Sequence, residues 1–385
     1  MLCIGVLLPR STLFPSLGLD ILNGIKACLL HYKINEEFKL RTDNIGFGTD
    51  EAEIYTKAEK LLLQDDAAVV IVIAENRIGE MLEPLFTATN KILMLVNMGA
   101  NFPDSWNAAP TTIVHSLNFC LHTRLSGKLA ASGADKHAAY VTSYYDGGYR
   151  QCYSFLNSHQ QNGGIPCYTH VTHFKEEEFT LAPLDEFLKQ KAEVRSLLCL
   201  FSGDLAAKFY REIIPLQHQH NLSLYVSPMM LDEGLADLPG DPIVIQNARG
   251  YSPWVSFLEN EHNSAFTDFY QKSYNKKSNL FALLGWDTGL LLQGLLQQYK
   301  SGTTDSAKLL LALGDVYFNS PRGWLKLDKT TNHTYGPSWL LSCSNRMELK
   351  VEEDYPGIDK EWNDFTNEKF SSGESSSWRN TYLCI

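Results

Sequence analysis

Residues Cys3–Ile34 read CIGVLLPRSTLFPSLGLDILNGIKACLLHYKI. A short apolar run, Cys3–Leu8, is stopped by Pro9-Arg10-Ser11. In the segment that follows, Leu19, Leu22, Ile25 and Leu29 recur at helical spacing, so the stretch predicts strand, loop, helix. The order then repeats. FKLRTDNIG (38–46) reads as a strand, EAEIYTKAEKLLLQ (51–64) as a helix, AAVVIVIA (67–74) as a strand, IGEMLEPLFTATN (78–90) as a helix and ILMLVNM (92–98) as a strand. Strands alternating with helices imply parallel pairing through right-handed crossovers. Runs as continuously apolar as Ala67–Ala74 suit a sheet covered on both faces.

A second series with similar spacing starts near Asn118. It takes in strands at HAAYVTS (137–143), PCYTHVTHF (166–174), SLLCLFSG (196–203), LSLYVSP (222–228) and PIVIQNA (242–248), with helices between them. Beyond Gly250 lies a mainly helical region, then two late strands at SPRGWLKLD and SWLLSCS. The fold class expected is therefore α/β, with two doubly wound parallel-sheet lobes. The 385 residues exceed the usual size of a single core, in keeping with two lobes. The polar, Ser-rich end from about Asn367 reads as a poorly ordered tail.

Composition narrows the function. Apolar content of 44%, charged content of 20% and a net charge of −11, with no basic stripe, argue against a nucleic-acid partner. Ala67–Ala74 and Ile92–Val96 are too short to cross a bilayer, so no membrane insertion is expected. Cys3–Pro9 passes directly into a strand instead of showing a signal-peptide pattern, so the chain is expected to be cytoplasmic or a mature form with an added Met. The eight cysteines show no metal-ligand spacing and are expected to be free thiols, a Cys152–Cys167 pair being the one alternative. His218 and His220, and His170 and His173, lack the further ligands a metal site requires. The lone Asp-Thr-Gly at 287–289 lies in a helical apolar pattern and is read as structural. No cofactor motif and no catalytic constellation is present.

In α/β sheets ligands bind at the carboxyl ends of strands, where loops and helix N-termini present free N–H groups. Four such edges stand out: Pro9–Ser11, Glu75–Arg77, Asn97–Gly99 and Tyr145–Tyr149. In the last, YYDGGY (144–149), Gly147 and Gly148 are expected to permit a tight turn while the tyrosines offer flat surface and hydroxyls. The double glycine at 163–164 ends the next helix with a left-handed cap.

The order and spacing of IGVLLPRS, NGI (23–25), AEKLLLQDDAAVVI, ILMLVNMGANFP, SYYDGGYRQCYSFLNSHQQNGG, FSGDLAAKFYREI, GWDTGLLLQGLL and SPRGWLKLDKTTNHT resemble the type I periplasmic-binding-protein family. The likeness is to its leucine/isoleucine/valine-binding and amide- or urea-binding branch, over about Ile4 to Ser344. It implies lobe one from 1–117 plus 251–322, lobe two from 118–250 plus 323–345, and a partly disordered C-terminal extension, 346–385. Three crossings, near Leu117, Tyr251 and Gly323, would form the hinge.

The implied ligand-binding residues are Ser11, Glu75, Asn76, Asn97, Met98, Gly99, Tyr145, Tyr149, Asp204, Met229 and Tyr251. Asn97 and the Gly99 N–H would hold a carboxylate or amide oxygen, and the tyrosines would cover the ligand. Two departures weigh against classical α-amino-acid recognition: the small hydroxyl residues of amino-acid binders are replaced by Glu75-Asn76 and Asn97-Met98, and an acidic residue by Met229. The implied function is non-catalytic binding of a small polar solute (amino acid, amide or urea-like) for an ABC-type transporter, with a permease as partner and a periplasmic location. The alternative is a cytoplasmic sensor that passes cleft closure to a regulatory protein. An enzyme using Glu75 and Asp204 as an acid/base pair ranks last.

Overall fold

The computed structural model describes residues 1–369 and Tyr382. The first series forms β1 (Leu2–Leu8), α1 (Leu17–His31), β2 (Phe38–Asn44), α2 (Glu51–Leu63), β3 (Val69–Ile73), α3 (Asn76–Thr89), β4 (Ile92–Asn97) and β5 (Thr112–Ser116). Their strands make one parallel sheet in the order β2-β1-β3-β4-β5. All residues of β3 and β4 are buried, as a sheet covered on both faces demands.

The second series follows with α4 (Phe119–Ser132), β6 (His137–Ser143), α5 (Arg150–Gln161), β7 (Ile165–Thr172), α6 (Ala182–Gln190), β8 (Ser196–Leu200), α7 (Gly203–His220), β9 (Ser223–Val226) and β10 (Ile245–Ser252). The chain then returns to the first lobe with α8 (Glu261–Tyr274), α9 (Leu280–Lys300) and α10 (Ser306–Leu313). The strands β11 (Tyr317–Ser320), β12 (Gly323–Leu327) and β13 (Thr334–Tyr335) form a small antiparallel sheet. After it come β14 (Trp339–Asn345), β15 (Glu348–Asp354) and α11 (Ile358–Thr366).

Three details differ from the sequence reading. The second sheet runs β15-β14-β10-β9-β8-β6-β7 and is mixed, because β14 pairs antiparallel with both β10 and β15. The third crossing lies between Tyr335 and Trp339 rather than near Gly323. β12 pairs with β11, β13 pairs with β12, and His333 bridges to Val114 of β5, which keeps residues 323–335 with lobe one. In α1, Leu19 is 58% exposed, and Leu17, Ile21, Ile25 and Cys28 face the core instead. That helix is pressed between the sheet and α9, which buries Leu22, Ile25 and Leu29 as the spacing suggested and leaves only Leu19 of the four outside.

One helix, Leu280–Lys300, has the length and composition of a membrane span but is buried in lobe one against α1. Cys152 and Cys167 are thiols and not a disulfide pair, and Cys384 lies outside the described residues. So does the predicted tail beyond Lys369, apart from Tyr382; the part of the C-terminal extension before it forms β15 and α11.

Candidate functional site

Each strand of a parallel sheet delivers its carboxyl end to the same edge, so the loops after β1, β3 and β4 face those after β6 and β8 across the gap between lobes. Ser11, in the loop after β1, is buried, and its Oγ accepts the Phe14 N–H at 2.9 Å. Glu75 caps α3 and is buried, while Asn76 opens that helix. Asn97 staples two strand ends together. Its Nδ2 donates to the Ala74 carbonyl at 3.3 Å, and its Oδ1 accepts the Gly99 N–H at 3.0 Å. The Gly99 N–H and one of the two Asn97 Nδ2 hydrogens are thus engaged within the loop after β4. Gly99 sits at φ +72°, and a Cβ there would lie 2.3 Å from Ser116 Oγ. Met98 is buried and passes its carbonyl to the Phe119 N–H.

On the second lobe, Ser143 ends β6, and a 3-10 turn at Asp146–Gly148 leads to α5. Gly147 serves close approach rather than a positive φ, since a Cβ would meet Thr142 at 3.0 Å. Gly163 does take the left-handed cap expected of it, at φ +87°. Tyr145 packs against Tyr144 and Phe174. Tyr149 is buried, and its ring meets that of Tyr382. Asp204 lies at the start of α7 and lines a cavity of about 740 Å³ at the mouth of the cleft. Phe14, Asp232, Glu233, Trp254, Lys276 and Phe281 also line it. That volume suits a small solute. Met229 is core, in the 3-10 turn after β9, and Tyr251 packs against Tyr355 at the hinge, where burial pushes its phenol up to about 12. Neither lines the cavity.

Deeper in, the two lobes meet around Tyr382, which is fully buried. Ser11 Oγ donates to the Tyr382 carbonyl at 2.6 Å, and the Tyr382 N–H donates to Tyr149 Oη at 3.1 Å. The phenol donates to Gln151 Oε1 at 3.4 Å. The ring is walled edge-on by Phe14, Phe119 and Tyr149, at centroid distances of 5.8, 6.1 and 5.4 Å. Of the residues named from sequence, Ser11 and Tyr149 thus converge on one group. Glu75 lies near enough for its charge to oppose ionisation of the Tyr382 phenol. Phe14, Phe119, Gln151, Phe281 and Tyr382 escaped the sequence reading, while Asp146 fell inside the edge Tyr145–Tyr149 without being singled out. Only Phe14 carried a signal, as an aromatic residue three places after Ser11 in the same strand-end loop.

Asp146 is the buried carboxyl of this region. It accepts from Ser143 Oγ at 2.6 Å and Ser202 Oγ at 2.8 Å, yet burial outweighs those bonds and lifts its pKa to about 6. The unfolded chain titrates near 3.8, so between about pH 4 and 6 the folded state binds the extra proton. Stability from this group is full below pH 4, declines as pH rises to 6 and is flat above. At about 1.4 kcal/mol per unit, the swing is roughly 2–3 kcal/mol. Urea melts of wild type and Asp146→Asn at pH 4 and 7 should show the wild type losing that much more on the way up. Parallel pH profiles would refute the assignment.

Among the described residues no three His, Cys, Asp or Glu side chains converge as a metal would require. A family model described as periplasmic binding protein matches residues 2–347. None of the curated proteins compared matches the chain. Among solved structures, an ABC-transporter solute-binding protein from R. palustris in complex with benzoate is 20% identical, with a TM-score of 0.72 over 92% of this chain and 96% of that one. An ABC transporter substrate-binding protein from Sphaerobacter thermophilus scores 0.79 at 14% identity, over 92% and 98% of the two chains. A branched chain amino acid ABC transporter periplasmic ligand-binding protein from Burkholderia xenovorans scores 0.77 at 11% identity, over 96% and 99%. At these identities the structures speak for the fold, a pair of α/β lobes, while the family model spans nearly the whole ordered chain: this protein belongs to the periplasmic binding protein family.

Proposed function

We propose that the chain binds a small polar solute between its lobes, without catalysis, as the substrate-binding component of an ABC-type transport system. The observation that carries this reading is the convergence of Ser11 from lobe one and Tyr149 from lobe two on a single amide-bearing group. Ser11 meets its carbonyl and Tyr149 its N–H, so closing the lobes completes the site. Hydrogen bonds of this kind suit an amino acid or an amide, and a urea-like solute offers the same donor and acceptor. The aromatic walls add a preference for a flat ring, in keeping with the benzoate carried by one of the similar structures. Glu75 and Asp204 line different compartments, which speaks against their acting as an acid/base pair. A transporter permease is the partner implied, and the protein would work on the outer side of the cytoplasmic membrane.

The test is a thermal-shift and calorimetric panel of amino acids, short amides, urea, benzoate and 4-hydroxybenzoate, run on the full chain and on Tyr382→Ala. A ligand of the folded state raises the midpoint. In the Tyr382→Ala background, Ser11→Ala should weaken the best ligand by about 3- to 10-fold, the worth of one net hydrogen bond of about 1 kcal/mol. No binding by any panel member to either protein would remove the solute reading.

A further inference from the structure

We propose that Tyr382 is an intramolecular ligand: this tyrosyl group of the chain itself fills the inner cleft, and a solute must displace it to enter. The inference rests on reading the cleft as the solute site, and it narrows the ligand class to a ring, preferably a para-hydroxyphenyl group, carried on an amide. Four observations support it.

Every polar group of Tyr382 is engaged: carbonyl to Ser11, N–H to Tyr149, hydroxyl to Gln151. Its contacts come from both lobes, with Ser11 and Phe14 on one side, Tyr149 and Gln151 on the other, and Phe119 at the first crossing. The tyrosine therefore bridges the lobes as a bound solute would. Its backbone lies at φ +56°, a region costly for a bulky L-residue, which persists only where surrounding contacts hold it. Finally, the packing is continuous with the open compartment. Phe14 lines the mouth cavity and also packs at a tilt against Phe281, centroids 5.2 Å apart, so a solute arriving through the mouth meets the wall that holds the tyrosine.

Twelve residues separate Lys369 from Tyr382, a stretch able to span about 40 Å. A group tethered by so short a chain has an effective concentration in the millimolar range, so a free ligand must outcompete it. Occupancy by the tail favours the closed arrangement, and a solute lacking the ring would bind only by paying the full cost of releasing it.

The probe is N-acetyltyrosinamide, which reproduces the ring, carbonyl and N–H of Tyr382. It is titrated by calorimetry into the full chain and into Tyr382→Ala, while hydrogen exchange follows the peptide that carries Tyr382 in the unliganded wild type. The expected result is binding to Tyr382→Ala at least 10-fold tighter than to wild type, with the wild-type Tyr382 peptide protected and losing protection as the probe is added. Equal affinity for the two proteins, or a Tyr382 peptide that exchanges as an open chain, overturns the proposal. A protected Tyr382 peptide whose partner variant binds no member of the solute panel upholds the tail contact and instead removes the solute reading. Hydrogen exchange needs no variant, so a poorly folding Tyr382→Ala would leave the proposal open to refutation.

Discussion

Replacing Arg322 with methionine is expected to cost about 3–5 kcal/mol of stability, although Arg322 touches no ligand group. Its guanidinium and the carboxylate of Asp287 are both almost completely buried, with Nε 3.0 Å from Oδ2. Ser320 Oγ donates to the other carboxylate oxygen at 2.7 Å, and Trp339 Nε1 donates to the Arg322 carbonyl at 3.1 Å. Burial raises the Asp287 pKa despite the neighbouring cation, and lowers that of Arg322 despite the anion. Removing the cation therefore strands an acid that the interior already disfavours in its charged form. His115 and His122 stay neutral beside the pair, each held down at about 3 by burial and then by the Arg322 charge. His115 Nδ1 bonds Thr334 Oγ1 and His122 Nδ1 bonds Ser338 Oγ, so this polar knot lies under the third crossing between the lobes. The double variant Asp287→Leu, Arg322→Met should recover most of the loss, because a matched apolar pair avoids both desolvation costs. Urea denaturation of the wild type, both singles and the double measures this directly. A single-variant loss below about 1 kcal/mol would mean that the pair is solvated in solution.

Asp287 and Arg322 show where sequence reading stops. The Asp-Thr-Gly triplet was legible as structural because it lay in a continuous helical apolar pattern, yet nothing local names a partner 35 residues away. The strand-helix alternation was legible for the opposite reason. β3 and β4 are buried on both faces, so their apolar runs have no polar interruptions, and periodicity alone separates them from α2 and α3. Where an element is selected by tertiary packing, the local signal misleads. Leu19 fits the helical spacing as well as Leu17 does, and only the position of α9 decides between them. Gly323 looked like a crossing, yet its strand pairs with β11 before the chain leaves the lobe.

The site divides in the same way. Ser11 and Tyr149 could be named because strand ends of parallel sheets collect ligands whatever the side chains. Asn97 sits at such an end, and its amide also bonds Ala74 and Gly99 within the lobe, a competition that spacing does not reveal. Met229 and Tyr251 follow the correct strands and turn into core and hinge instead of the cleft. Tyr382 lies in a Ser-rich polar segment whose composition argues only for disorder, and its partners lie hundreds of residues upstream.

Gly24→Ala and Gly285→Ala are each expected to destabilise the protein by about 3 kcal/mol or more, at the upper end of what overpacking costs. A Cβ at Gly24 would lie 2.1 Å from the Ala282 carbonyl oxygen and 2.8 Å from the Trp286 nitrogen. One at Gly285 would lie 2.0 Å from the Ile21 carbonyl oxygen. These are backbone atoms, so no rotamer change relieves the clash, and α1 and α9 must move apart. Alanine's better helix propensity returns about 1 kcal/mol, too little to offset the separation. Leu19→Ala, on the exposed face of the same helix, is the control and should fall within about 0.5 kcal/mol of wild type. The consequence reaches the cleft. The loop before α1 carries Ser11 and Phe14, and α9 carries Phe281, which meets Phe14 at 5.2 Å. Widening the helix pair therefore pulls at the aromatic wall from both ends. Denaturation melts paired with titration of the best solute should show stability and affinity falling together in both glycine variants, and neither falling in Leu19→Ala. Loss of stability with unchanged affinity would mean that the Phe14 loop is positioned from lobe two, through the contact of Leu13 with Gly203, rather than by the helix it precedes.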